Sequence, residues 1–206
     1  MKKFKWYALK ISFFLIFIFL LQNFFPTNNF ILISKEVFFK PWTIVTYIFL
    51  HVSLTHLFYN VFALALFGLI LEKIIGSQNF LILFFLSGIF SGIVSIFFYN
   101  AVVGASGALF GLLGFLAIIR PKMVIPTFGI PLPVIAAIVL WLIFDLVGIF
   151  SSDHIAHVGH LSGLTFGILA GLKLRKKYKV KEKKKKSKVK IPEEEFKRWE
   201  EKYLKT

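Results

Sequence analysis

All five histidines of the chain fall in two short clusters, His51 with His56, and His154 with His157 and His160. Between the clusters, Gly104-Ala105-Ser106-Gly107 sets a serine among small residues, and Asn60 follows His56 by four positions. Residues four apart share a helix face, so His56 and Asn60 present an imidazole and a carboxamide together. A serine becomes a nucleophile when a neighbouring base takes its proton. Imidazole and carboxamide N–H groups, with a backbone amide at a helix start, are donors suited to a developing oxyanion. The residue types therefore suit acyl transfer at Ser106, with His160 as the candidate base. Plainer readings stand beside this one: Ser106 as a packing residue, and His56 and Asn60 as interhelical hydrogen-bonding groups. A histidine-bound metal or haem is a third reading. Against it, the three-residue steps from His154 to His160 drift around a helix, no ligating carboxylate is evident, and the chain has no cysteine.

The elements that must carry these groups are apolar. Of 206 residues, 57% are hydrophobic, 27 are phenylalanine and only 17% are charged. Mean hydropathy is +0.78. A soluble domain has about 45–50% apolar and about 25% charged residues, so a single soluble domain is excluded. At about 20 residues per membrane-crossing helix, residues 1–172 hold about six spans, expected near 4–25, 53–74, 79–99, 105–119, 129–149 and 154–172. The first block has no small-residue cleavage site after it and reads as a retained helix, not a signal peptide. Residues 26–50, with Pro26, Lys35, Glu36, Lys40 and Pro41, read as a loop at the outer interface. Lys2, Lys3, Lys5, Lys10, Lys73, Arg120 and Lys122 fall on one side if both termini are cytoplasmic, which the positive-inside rule favours. The expected fold is thus an all-α multi-pass bundle in the cell membrane. His51, His56, Asn60, Glu72, Ser106, Asp145, His154, His157 and His160 are polar groups inside it, and such residues are costly in lipid and usually mark function.

Two faces of small residues suggest how the clusters meet. Gly107 and Gly111 are four apart in the fourth span, and Gly163, Gly167 and Gly171 repeat that spacing in the sixth. Small-xxx-small faces let helix backbones approach closely. If these two faces dock, Ser106 comes beside the helix that carries His160.

These residues resemble a known family, the rhomboid intramembrane serine proteases, over about residues 36–172. Gly104-Ala105-Ser106-Gly107 is similar to the family's Gly-x-Ser-Gly motif. His51, His56 and Asn60 match its second-span pattern, and His160, Gly163 and Gly167 its last-span pattern. Pro41-Trp42 and Thr46-Tyr47 resemble its first-loop motif, and Gly68, Glu72 and Gly76-Ser77 the end of its second span. The resemblance implies a six-transmembrane-helix rhomboid-like bundle with Ser106 as nucleophile and His160 as base, a dyad without aspartate. It implies His56, Asn60 and the Ser106 amide as oxyanion donors, with His51 and Gly104 lining the site. His157 competes for the base role, but the Gly163 and Gly167 register favours His160; His154 and His157 are then loop or interface residues. Glu72 and Asp145 read as structural. Two positions depart from the family pattern: Thr43 stands where many members have arginine, and Phe110 where some have tyrosine. The implied substrates are transmembrane proteins, and no cofactor or metal is required. The alternative is an inactive relative that binds membrane proteins without cleaving them.

Residues 173–206 form a separate tail. They hold sixteen basic and six acidic residues, so +10 of the net +15 lies there. Beside an apolar span, this charge points to anionic lipid headgroups and not to nucleic acid. Residues 173–190 read as a solvated run, and 191–206 as a short helix with Phe196, Trp199 and Tyr203 on one face.

Overall fold

The computed structural model describes residues 4–127, 129–178 and 193–203. Helix α1 (Tyr7–Gln22) opens the chain. Its first turn is capped by another helix: Glu72 accepts from the Tyr7 and Ala8 amides at 3.0 Å each, and from the Ser77 hydroxyl at 2.6 Å. A carboxylate on orphan N-terminal amides, at the positive end of the helix dipole, satisfies a fully buried charge. Glu72 is thus structural, as its sequence context implies.

The loop after α1 is tied down along its length. Strand β1 (Leu32–Ile33) pairs antiparallel with β2 (Ala101–Val102), Leu32 opposite Val102. The short helix α2 (Thr43–Thr46) and a single 3-10 turn (Tyr47–Phe49) follow β1. Thr43, at the position that departs from the family pattern, is buried with its hydroxyl on the Lys40 carbonyl at 2.6 Å.

Helices α3 (Leu54–Ala63) and α4 (Leu69–Ile75) are joined by a π-helical turn at Leu64–Gly68 into one continuous helix, Leu54–Ile75. The Ser53 hydroxyl caps it by accepting from the His56 amide at 3.1 Å. Helix α5 (Ser77–Ser95) begins after Gly76, and α6 (Ser106–Ile119) after Gly104. A hairpin of β3 (Val124–Thr127) and β4 (Ile130–Pro133) precedes α7 (Val134–Gly148). Helix α8 (His157–Tyr178) follows, and α9 (Glu193–Tyr203) lies in the tail.

Several expected boundaries move: the first span, expected over 4–25, is helical over Tyr7–Gln22, the third, expected to end at 99, ends at Ser95, and the sixth, expected from 154, begins at His157. The fifth span, expected from 129, begins at Val134, because residues 130–133 are the hairpin's second strand. Pro131 and Pro133 lack the amide a helix interior needs. At the other end, α8 runs on through residues 173–178, expected as part of a solvated run, and Arg175, Lys176 and Lys177 sit in its last turn, where cations suit the negative end of the dipole. The tail helix falls as expected, although Pro192 and the rest of 179–192 lie outside the described residues.

Helix α6 is the axis of the molecule. All of residues 107–109 and 111–117 are buried in it, enclosed mainly by α8 and α5, with α7 and α3 at its sides. The glycine faces meet as their spacing suggests. A Cβ on Gly163 would fall on the Gly107 carbonyl oxygen, and one on Gly167 on the Gly111 carbonyl oxygen. No side chain separates α6 from α8 there. On α5, Ser91 donates to the Gly159 carbonyl at 2.7 Å, adding a polar tie between buried backbones.

The outside of the bundle is apolar. Phe13, Phe97, Phe98, Val147 and Phe150 are all strongly exposed. The continuous helix Leu54–Ile75 and α5 are each long and apolar enough to cross a bilayer, while α1, α6 and α7 are shorter apolar helices.

Candidate active site

Ser106 is the first residue of α6, so its backbone N–H is one of the orphan donors of a helix start. The turn before it requires Gly104, whose φ is +120°, a conformation that side chains other than hydrogen resist. A Cβ at Gly104 would also lie 2.7 Å from His56 Cε1. The Gly104 amide donates to the Tyr47 carbonyl at 2.9 Å, and β2 pairs with β1 just upstream. The loop between α1 and α3 thereby fixes the segment that delivers the serine.

His160 lies one turn into α8. Its Nε2 is 2.8 Å from Ser106 Oγ, across the glycine contact of the two helices. The Phe110 ring, one turn below the serine, stacks on the imidazole with centroids 4.4 Å apart and planes within 8°. Phenylalanine thus supplies the stacking surface without a phenol hydroxyl. Trp141 of α7 closes edge-on against Phe110 at 5.8 Å.

Of the remaining expected site residues, His56 packs over Gly104 and meets His51 edge to face at 4.9 Å. Asn60 is buried one turn along α3; its Nδ2 donates to the His56 carbonyl at 2.8 Å, which uses one of its two N–H groups. His51 is held by a reciprocal pair with Gln22, whose Nε2 donates to the His51 carbonyl at 3.0 Å while its Oε1 accepts the His51 amide at 3.1 Å. The His51 ring is buried and has no hydrogen-bond partner among the described residues. Burial, with the neighbouring His56, pushes its pKa down to about 3. It is therefore neutral near pH 7. His154 is exposed in the α7–α8 connection and stands apart.

Sequence reasoning missed the residue behind His160. Asp145 Oδ1 lies 3.0 Å from His160 Nδ1 and 2.7 Å from His157 Nδ1. The other nitrogen of His157 faces Asp153 at 3.1 Å. His157 is thus a buried partner of Asp145, with the room for its ring supplied by Gly148. Asp153, in the connection, is held down to about 2 by the Ile155 amide it accepts, and the His157 contact adds to this against burial. Ligand-type atoms of Asp145, His157 and His160 lie within 4.8 Å of one another, so a carboxylate does stand beside these histidines, contrary to the sequence reading; Asp145 Oδ1 and the ring nitrogens of both histidines are engaged in these hydrogen bonds, while Asp145 Oδ2 is buried without a partner among the described residues. The missed signal was available: an aspartate inside an apolar helix requires polar partners, and Asp145 falls on the same stripe as Val134, Ala137, Ile138 and Gly148, the buried face of α7.

Comparison with known proteins places the chain in a family. Residues 39–177 match the Rhomboid domain. The chain is 35% identical over 137 residues to the rhomboid protease GluP of Bacillus subtilis, covering 65% of this chain and 26% of that protein. It is also 35% identical over 142 residues to the rhomboid protease GlpG of Yersinia pseudotuberculosis, covering 66% of this chain and 49% of that protein. The chain thus spans about a quarter of the one relative's length and about half of the other's. It belongs to the rhomboid family, and its all-α fold is a membrane fold.

Proposed function

We propose that this protein is an intramembrane serine endopeptidase that cleaves transmembrane segments of other membrane proteins near their outer ends. The observation that carries this reading is the 2.8 Å contact between Ser106 Oγ and His160 Nε2, made between two helices whose backbones touch. Its relatives named rhomboid proteases add weight.

In the reaction, Ser106 Oγ attacks a peptide carbonyl carbon while its proton passes to His160 Nε2. The new C–O bond leaves negative charge on the carbonyl oxygen, stabilised by the Ser106 amide, His56 and the free N–H of Asn60. The C–N bond then breaks as His160 returns the proton to the leaving amine. Water, deprotonated in turn by His160, releases the second fragment and regenerates the serine. No metal or cofactor enters these steps. A helix hides its carbonyls in its own hydrogen bonds, so a substrate must unwind locally, and small or helix-weakening residues near its outer end favour cleavage.

The chain crosses the cell membrane six times, with both termini cytoplasmic. The long helices Leu54–Ile75 and Ser77–Ser95 support this, as does the basic last turn of α8. The fourteen residues of α6 span about 21 Å at 1.5 Å per residue, less than the roughly 30 Å hydrocarbon core. With Arg120 and Lys122 holding its other end at the cytoplasmic surface, its first residue, Ser106, lies below the outer surface, and water must reach it through a polar recess. The basic tail after the last span rests against anionic lipid headgroups.

Labelling by a fluorophosphonate probe in liposomes tests the reading. Labelling of the native chain that vanishes in Ser106→Ala and His160→Ala is the expected result. A folded native chain that does not label, under conditions where an active relative does, overturns it in favour of a non-cleaving binding protein.

A further inference from the structure

We propose that Asp145 is the positioning residue of this active site: its carboxylate holds the His160 imidazole in the orientation and tautomer that leave Nε2 free to take the Ser106 proton. The site is then a three-residue array carried by α7, α8 and α6, not a serine–histidine pair alone. The inference rests on the reading of Ser106 and His160 as nucleophile and base.

The geometry is directional. Asp145 Oδ1 and Ser106 Oγ lie 3.0 Å and 2.8 Å from opposite nitrogens of one ring. A carboxylate only accepts hydrogen bonds, so the proton of neutral His160 resides on Nδ1. Nε2 is left with its lone pair toward the serine hydroxyl, as a general base requires. When the serine proton arrives at Nε2, Nδ1 keeps its own. Asp145 takes no proton; its negative charge faces the positive ring that forms. The Phe110 stack fixes the plane of that ring, and the Asp145 bond fixes its rotation within the plane.

Asp145 is itself held. It is 3% exposed, and the same Oδ1 accepts from His157 Nδ1 at 2.7 Å. Asp153 faces the far nitrogen of that ring, and its backbone tie to Ile155 anchors the connection. A buried carboxylate is expensive unless it is bonded on the spot. At this depth of α7, its bonds run to the two histidines of α8.

The test compares acylation kinetics of the native chain, Asp145→Asn and Ser106→Ala in liposomes, using a fluorophosphonate probe over a range of concentrations. The final labelled fraction is recorded with the rate. In Asp145→Asn the limiting acylation rate falls on the order of 10- to 100-fold, as for loss of a charge-assisted hydrogen bond. The concentration for half-maximal rate and the final labelled fraction stay within about twofold. A structural role alone would lower the labelled fraction and spare the rate of the molecules that remain active. Native kinetics in Asp145→Asn, with labelling abolished in Ser106→Ala, overturn the role of Asp145 and leave the protease reading standing. Labelling that persists in Ser106→Ala overturns both. If Asp145→Asn does not fold, 15N-histidine spectra of the native chain decide, with His160 assigned by the signal lost in His160→Gln. A proton on Nδ1 of neutral His160 is the expected result, and a proton on Nε2 overturns the proposal.

Discussion

Phe110 and His160 lie face to face, 4.4 Å apart and nearly parallel, although one belongs to α6 and the other to α8. A ring that cannot donate a hydrogen bond therefore sets the plane of the His160 imidazole. Aromatic pairs of this kind contribute about 0.5–1.5 kcal/mol beyond the area they bury. Phe110→Leu should slow fluorophosphonate acylation by about 2- to 10-fold, while Phe110→Tyr keeps the ring and the rate. An unchanged rate in Phe110→Leu would show that other contacts suffice to hold His160.

Gly163→Ala and Gly167→Ala each push a methyl group onto a carbonyl oxygen of α6. Overpacking of this sort costs about 1–3 kcal/mol. Both variants should melt earlier in detergent than the native chain and label more slowly, because α8 must withdraw from Ser106. Leu169→Ala, at an exposed position of the same helix, should do neither.

The turn at Gly104 combines a φ of +120° with His56 at contact distance. Gly104→Ala therefore strains the backbone and displaces His56 together. The expected result is a loss of labelling larger than the loss of thermal stability. Stability and labelling falling in parallel would mean that the turn matters only for folding.

His51 supplies a pH dependence of stability. Its folded pKa is about 3, against 6.5 for the free side chain. Between these values the unfolded chain binds a proton that the folded chain does not, so stability is lost as pH falls from about 6.5 toward 3. The melting temperature of the native chain should drop across this range, and His51→Asn should make the decline shallower. Parallel curves for the two proteins would assign the acid sensitivity to other groups.

Much of the site was legible because its determinants are short-range or periodic. The four-residue glycine spacing of α6 and α8 dictates the face each helix can bury, and that docking brings His160 to Ser106 as the sequence suggested. The phase of His56 and Asn60 on one helix was equally plain. The hairpin ahead of α7 was not, because the apolar residues of its strands, Val124, Ile125, Ile130 and Leu132, run on into those of the helix, and hydropathy alone does not separate strand from helix. Pro131 and Pro133 were the usable signal. The partners of Asp145 lie 12 and 15 residues further on, across a loop, and their meeting depends on how α7 rotates about its axis. Hydropathy says little about that rotation, but the stripe of Ala137, Asp145 and Gly148 does.

Ser106 and His160 are 54 residues apart in the chain, and the second of them rides on the last helix of the bundle. A ribosome that has just released α6 has made a serine with no base beside it. The site comes into being only when α8 emerges and seats its glycines against α6. On the proposed reading, a chain that stops short of α8 has no base for its serine and cannot act on the membrane proteins around it, so assembly itself is the safety catch.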